Sequence, residues 1–235
     1  MGQFRIKIAG RVAQIHSLFD STKHYCTVYL TGEPAQIQII VTQADLAAEQ
    51  KALREEAHRD GIRPRVFSEP FLERSFIQRK LAEALLPYGV LLLHGSAVAV
   101  DGQGYLFTAG CGTGKSTHTR LWRQAFGDRA VMVNDDKPFL RIEKAGVFLC
   151  GSPWSGKHGL DTNIIVPLKG ICVLEQGEEN RIWPVSPEAV LPMLKKQSAH
   201  PGSPLVESLS QQVPLWRMTC TKAVQAAQIS YEAMK

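Results

Sequence analysis

The sequence predicts an α/β fold: a small α/β subdomain over residues 1–66 ahead of a larger sheet-and-helix domain over residues 67–235. Three observations carry that reading. Phe4, Ile6 and Ile8 alternate with Arg5 and Lys7, the period-two pattern of a strand with one buried face. The β-rich runs at residues 90–100 and 105–109 lead through a glycine-rich turn into a helical stretch from Lys115 to Phe126. Beyond it, apolar runs at 130–133 and 170–175 alternate with further helical segments, as sheet-and-helix domains require.

The elements follow in order. Ile37, Ile39 and Ile40 lie in a second β-rich run, and Thr42 with Asp45 forms a capping-box-like start to a charged helix ending near His58. Residues 59–65 (RDGIRPR) carry Gly61 and Pro64, read as a loop, and set the expected subdomain boundary. Ser68 caps the next helix, which closes near Pro87. Asp101-Gly102-Gln103-Gly104 joins the runs at 90–100 and 105–109 as a hairpin. After the helix at 115–126, Gly127 supplies the position just past its end. The strand at 130–133 stops at Asn134-Asp135-Asp136, two strands flank Ala145-Gly146, and 170–175 is expected near the centre of a sheet. Ser186-Pro187 opens a helix expected to break at Pro192, and residues 222–234 form the last one.

Composition narrows the function classes. With 44% hydrophobic and 21% charged residues the chain can bury a core, which excludes disorder as its main state. Apolar stretches such as 90–93 fall far short of the ~20 residues a membrane helix needs. The N-terminal MGQFRIKIAG lacks the apolar core of a signal peptide, so a cytoplasmic protein without a membrane partner is expected. The net charge of +5 is spread along the chain, which does not indicate nucleic acid and suits a polyanionic nucleotide equally well. The five cysteines are widely separated and form no CxxC pair, which argues against a zinc site or a disulfide framework.

The strongest signal is Ala109-Gly110-Cys111-Gly112-Thr113-Gly114-Lys115-Ser116, placed after a strand and opening a helix, as in a P-loop. Glycines let the backbone wrap and turn its N–H groups toward phosphate oxygens, and the helix N-terminus adds partial positive charge. Gly110, Cys111, Gly112, Thr113, Gly114, Lys115, Ser116 and Thr117 are therefore the expected nucleotide-binding residues, with Ser116 also a ligand for Mg²⁺. Ala109 stands where the common pattern has glycine.

Asp135-Asp136 ends the next strand. On a parallel strand beside the P-loop strand, one carboxylate would hold Mg²⁺ and the other accept a proton from an attacking hydroxyl; an ordinary acidic turn is the alternative. Counting back across the hairpin sets His94 opposite residues 109–111, within reach of a phosphoryl oxygen or an aspartate, although a purely structural histidine fits equally. The stretch 151–159 (GSPWSGKHG) reads as an anion-binding flap with Lys157 placed to neutralise developing charge, or else as an exposed turn. His118, His158 and His200 lack metal-ligand spacing and receive no role.

The pieces His94-Gly95, residues 110–116 and Asp135-Asp136, in that order, resemble the catalytic domain of HPr kinase/phosphorylase and the nucleotide half of ATP-dependent phosphoenolpyruvate carboxykinase. Residues 151–177 look like a branch of small HPr-kinase-related proteins that includes kinases of lasso-peptide clusters. The resemblance spans roughly residues 88–180, with Cys111 in place of the family's usual serine. It implies a phosphoenolpyruvate-carboxykinase-like P-loop nucleotide-binding fold, to which the residues themselves add the small N-terminal α/β subdomain. It further implies that Lys115 and Ser116 serve the phosphates and Mg²⁺, Asp135 accepts the proton, Asp136 takes the metal side, and His94 is their neighbour. The expectation is a Mg-ATP-dependent kinase acting on a hydroxyl of a peptide, a protein serine or a small molecule, with homo-oligomers compatible. A nucleotide-binding regulatory or maturation protein, or a simple NTP hydrolase, is the alternative.

Overall fold

The computed structural model describes residues 2–59, 61 and 63–235, and the chain divides into two compact units after Leu85. Two residues of the loop expected at 59–65, Asp60 and Ile62, lie outside the described residues.

The first unit holds strands β1 (Gly2–Ile8), β2 (Arg11–Ser17) and β3 (Ile37–Ile40) with helices α1 (Asp20–Tyr25), α2 (Gln43–Arg59) and α3 (Glu69–Leu85). β1 and β2 are antiparallel across Ala9-Gly10, where both residues have positive φ, and β3 runs parallel to β2. Phe4, Ile6 and Ile8 are buried as the alternation required. The capping box at Thr42 is present: Asp45 N donates to Thr42 Oγ1 (3.3 Å) and Thr42 N donates to Asp45 Oδ2 (2.8 Å). Compactness groups α3 with this unit, so the break falls after Leu85 and not at residue 66. The reason is visible in Glu73 on α3, which is fully buried and accepts from Leu18 N, Phe19 N and Thr22 Oγ1 at the start of α1. α1 has no side-chain cap of its own; Glu73 satisfies those N–H groups from elsewhere in the chain.

The second unit is a mixed α/β sandwich. Its strands are β4 (Val90–Leu92), β5 (Ser96–Val100), β6 (Gln103–Thr108), β7 (Ala130–Asn134), β8 (Phe139–Glu143), β9 (Gly146–Cys150), β10 (Ile165–Gln176), β11 (Arg181–Pro184) and β12 (Leu215–Cys220). Its helices are α4 (Lys115–Phe126), α5 (Pro187–Gln197), α6 (Pro204–Gln212) and α7 (Gln225–Met234). The sheet runs β4-β8-β9-β10-β6-β5-β7, with β12 also beside β10 and β11 beside β12. β10 is central: its first residues pair with β9, its middle with β6 and its end with β12. Successive residues of β5 and β6 feed opposite faces. Ala97, Ala99 and Leu106 pack toward Val190 and Leu194 of α5 and Val206 and Leu209 of α6. Val98, Val100, Tyr105 and Phe107 pack toward Leu121 and Trp122 of α4 and Ala226 and Ala227 of α7. A strand buried on both faces reads as a continuous apolar run, which is why 105–109 carries no alternation.

Three expectations need correction. The run 90–100 is not one strand of a hairpin: it divides at Leu93–Gly95, with β4 joining β8 and only β5 pairing with β6. Gly95 lies between them, where an added Cβ would come within 2.8 Å of Leu106 and 3.0 Å of the Phe107 carbonyl. The strand carrying the aspartates does not adjoin β6 either. β5 lies between them, antiparallel to both, so β7 shares the direction of β6 one strand removed. The helix at Pro187 continues through Pro192, which is exposed and lies at the middle of α5. α6 and β12, absent from the sequence reading, follow it: α6 packs in the same core as α5, and β12 lies between β10 and β11.

Candidate functional site

β6 and α4 are joined by the glycine-rich turn. Gly112 (φ 75°) and Gly114 (φ 113°) occupy left-handed backbone that side chains other than glycine's rarely adopt, and Gly114 is the N-cap of α4. Lys115, nearly buried, folds back so that Nζ donates to the carbonyls of Ala109 (3.2 Å) and Gly110 (3.3 Å). Burial lowers its pKa, against the opposing pull of Cys111 and Asp136. Cys111 and Ser116 are exposed, while Gly110, Thr113 and Thr117 are half-buried. Thr113 N donates to Gly110 O (3.4 Å), closing the turn on itself. From the end of β10, Gln176 Nε2 donates to the carbonyls of Gly112 (3.4 Å) and Thr113 (3.3 Å) and braces the turn from outside. α4 is anchored to the sheet beneath by Ser96 Oγ and Thr119 Oγ1, 2.7 Å apart and buried. A glycine-rich turn thus opens the N-terminus of α4, and a helix N-terminus carries the partial positive charge that favours anions.

Beside it stands the acidic turn at the end of β7. Ser116 Oγ lies 3.5 Å from the Asp135 carbonyl, which brings the first turn of α4 against the aspartate pair. The two carboxylates differ in surroundings. Asp135 is buried, and its Oδ1 accepts the Gly156 N–H. Burial raises its pKa from its ordinary value, with the Gly156 N–H pulling against that and Asp136 adding to it. Asp136 is half-exposed and its Oδ1 lies 3.1 Å from His94 Nε2. Burial acts to raise Asp136 as well, but the His94 hydrogen bond and the charges of Lys137, His94 and Lys115 outweigh it and leave the group below its ordinary value.

His94 is therefore brought to the pair, by backbone pairing on two sides. Extending the β5–β6 register sets it opposite residue 109, and Thr108 Oγ1 donates to its carbonyl (3.0 Å). On the other side its N–H donates to Gln197 O (2.8 Å), and Gly95 N donates to Asp136 O (3.0 Å).

The loop 151–159 does reach the acidic turn, and it does so through backbone. Gly156 contacts Asp135, whereas Lys157 and His158 are exposed; Lys157 makes no hydrogen bond or ion pair among the described residues. His118 belongs to the core: its Nε2 is shared between Trp122 Nε1 (3.2 Å) and Ser230 Oγ (3.1 Å), and burial pushes its pKa down to about 4. Sequence reasoning passed over Asn134, Ser152 and Gln176. Asn134 stood next to the recognised pair, and a buried amide at the end of a strand was its only available signal.

No family model and no curated protein matches the chain. Among solved structures it is similar to the HPr(Ser) kinase/phosphatase from Coxiella burnetii, at 12% identity over 60% of this chain and 90% of that one, with a TM-score of 0.37. No helix among the described residues is long and apolar enough to cross a membrane.

Proposed function

We propose that this chain is a Mg-ATP-dependent phosphotransferase with a P-loop at residues 110–117, transferring the γ-phosphoryl group to a hydroxyl of a peptide, a protein serine or a small molecule. The observation that carries the reading is the contact of Ser116 with the acidic turn, which sets two differently tuned carboxylates beside a glycine cradle and a buried lysine. A pair whose environments push the two pKa values apart is suited to divide proton transfer from charge binding.

The roles follow from the surroundings. The backbone N–H groups of 110–114 and the start of α4 bind phosphate oxygens, and Lys115 leaves the Ala109 and Gly110 carbonyls to reach the β- and γ-phosphates. Asp135, raised by burial, accepts the proton of the acceptor hydroxyl, since a base nearer neutrality takes a proton more effectively. Asp136, held ionised beside His94, and the Ser116 hydroxyl are hard oxygen donors that suit Mg²⁺. Among the described residues no three His, Cys, Asp or Glu side chains converge as a protein-only metal cage, so phosphates and water would complete the shell, as is usual for this ion. Bound there, Mg²⁺ supplies charge neutralisation on the transferring phosphoryl group. Lys157, exposed on the loop that touches Asp135, is available to an anionic acceptor.

The test is transfer itself. Wild-type protein incubated with Mg-ATP and a panel of serine peptides and small hydroxyl compounds should yield a product heavier by one phosphoryl group in mass spectra, and Asp135→Asn should not. Nucleotide bound but never transferred or hydrolysed would favour the regulatory or maturation reading instead.

A further inference from the structure

Asn134 is fully buried, and its carboxamide is used on both sides. Its Oδ1 accepts the N–H groups of Asp136 (2.8 Å) and Lys137 (2.6 Å), which folds the acidic turn. Its Nδ2 donates to Ser152 O (2.8 Å) and Ser152 Oγ (3.1 Å), with Trp154 O at 3.4 Å. Ser152 Oγ in turn donates to Lys137 O (2.7 Å), closing a ring between turn and loop. Further along the loop, Asn134 bridges to Asp161 and Thr162 N donates to Val133 O (3.2 Å). The loop 151–162 is thus stitched across the end of β7 at both its ends, and Gly156, between them, meets Asp135.

We propose that Asn134 is a positioning residue: it locks the loop 151–162 onto the acidic turn so that the Gly156 N–H holds Asp135 Oδ1 and leaves Oδ2 to take the proton. The catalytic half of this rests on Asp135 being the proton acceptor; the positioning half does not. In the transfer step the acceptor oxygen forms its bond to the γ-phosphorus while the bond from that phosphorus to the bridging oxygen breaks. The bridging electron pair leaves with ADP, and the hydroxyl proton moves to Asp135 Oδ2. A Cβ at 156 would lie 3.1–3.3 Å from three atoms of the Asp135 carboxyl group, close enough that the carboxylate would have to give by a few tenths of an ångström.

Two readouts test the proposal. Amide hydrogen exchange on the whole protein should show Gly156 protected in wild type, and Asn134→Ala should abolish that protection while leaving α4 and β6 as protected as before. Phosphate release from ATP, with water as acceptor, should fall by about 10- to 100-fold in Asn134→Ala with Mg-ADP affinity little changed, the signature of a misplaced reacting group. Full turnover together with retained Gly156 protection would overturn the proposal. If Asn134→Ala does not fold, Gly156→Ala presses a methyl on Asp135: kcat should drop while KM for ATP holds, and an unchanged kcat overturns it. Should wild type bind no nucleotide, the phosphotransferase reading fails, while the exchange experiment still decides whether Asn134 fixes the loop.

Discussion

The glycine-rich turn at 110–114 and the acidic turn at 134–136 both meet the first turn of α4, yet they are held in opposite ways. The glycine turn is local. Its shape comes from two left-handed glycines, a lysine that caps carbonyls five and six residues upstream, and the helix it opens. The acidic turn is assembled from a distance: Asn134 folds it, His94 from the end of β4 pairs with Asp136, and Gly156 from beyond β9 pairs with Asp135. Substitution should therefore act differently on the two. Damage to the local turn should remove binding in one step. Damage to the assembled turn should leave binding and spoil chemistry, by amounts that depend on which distant partner is lost.

The largest expected effect is at the acidic turn. Asp135→Asn keeps the Gly156 hydrogen bond, since an amide oxygen also accepts, but cannot take a proton. Single-turnover rates should fall by about 10²–10⁴-fold with nucleotide affinity retained. Equal losses in affinity and rate would show that the two turns are not separable as described.

A smaller effect sharpens the same contrast from the core. His118, on the helix that both turns share, is buried with its Nδ1 unpartnered among the described residues and a pKa near 4, below its ordinary 6.5. The unfolded chain takes up its proton as pH falls through 6.5, whereas the folded protein resists until about 4. Stability should accordingly be full above pH 6.5 and decline across that window by about 3 kcal/mol. Urea unfolding at pH 7 and pH 4.5 measures the decline; His118→Gln should remove this part of it and leave what the carboxylates contribute.

Smaller still is the effect of His94. If Asp136 is a metal ligand, His94 orients it, and the loss of such a partner costs about 10- to 100-fold in metal affinity. His94→Ala should raise the Mg²⁺ needed for half-maximal activity toward the lower end of that range and reduce transfer more than ATP affinity. A fall in melting temperature with the rate per folded molecule preserved would make it a packing residue instead.

The same division explains what the sequence disclosed. The strand–glycine turn–helix unit, the end of α4 at Gly127 and the capping box at Thr42 each depend on residues within a few positions of one another, so spacing alone located them. The placement of His94 followed from hairpin arithmetic across Asp101-Gly102, again a short-range inference, although the run containing it splits in two at Gly95. What spacing could not reach were pairings across long stretches of chain. The insertion of β5 between β6 and β7, the grouping of α3 through Glu73 with the first unit, and the union of Asn134 with Ser152 are all of that kind. Two apolar faces that each bury equally well on several neighbours leave strand order undetermined until the whole sheet is assembled. The composition of residues 151–159 marks the segment but points to Lys157, whereas its contact with Asp135 runs through the Gly156 backbone.

The most direct measurement of the central claim is a calorimetric titration of Mg-ADP into wild type and Lys115→Ala under one buffer. The account predicts saturable binding at a single site in wild type. In the variant, whose folding is checked by its thermal unfolding, it predicts loss of measurable tight binding, in keeping with a charged contact contributing about 1.5–3 kcal/mol. Equal affinity in the two proteins would contradict the assignment of residues 110–117 as the nucleotide site.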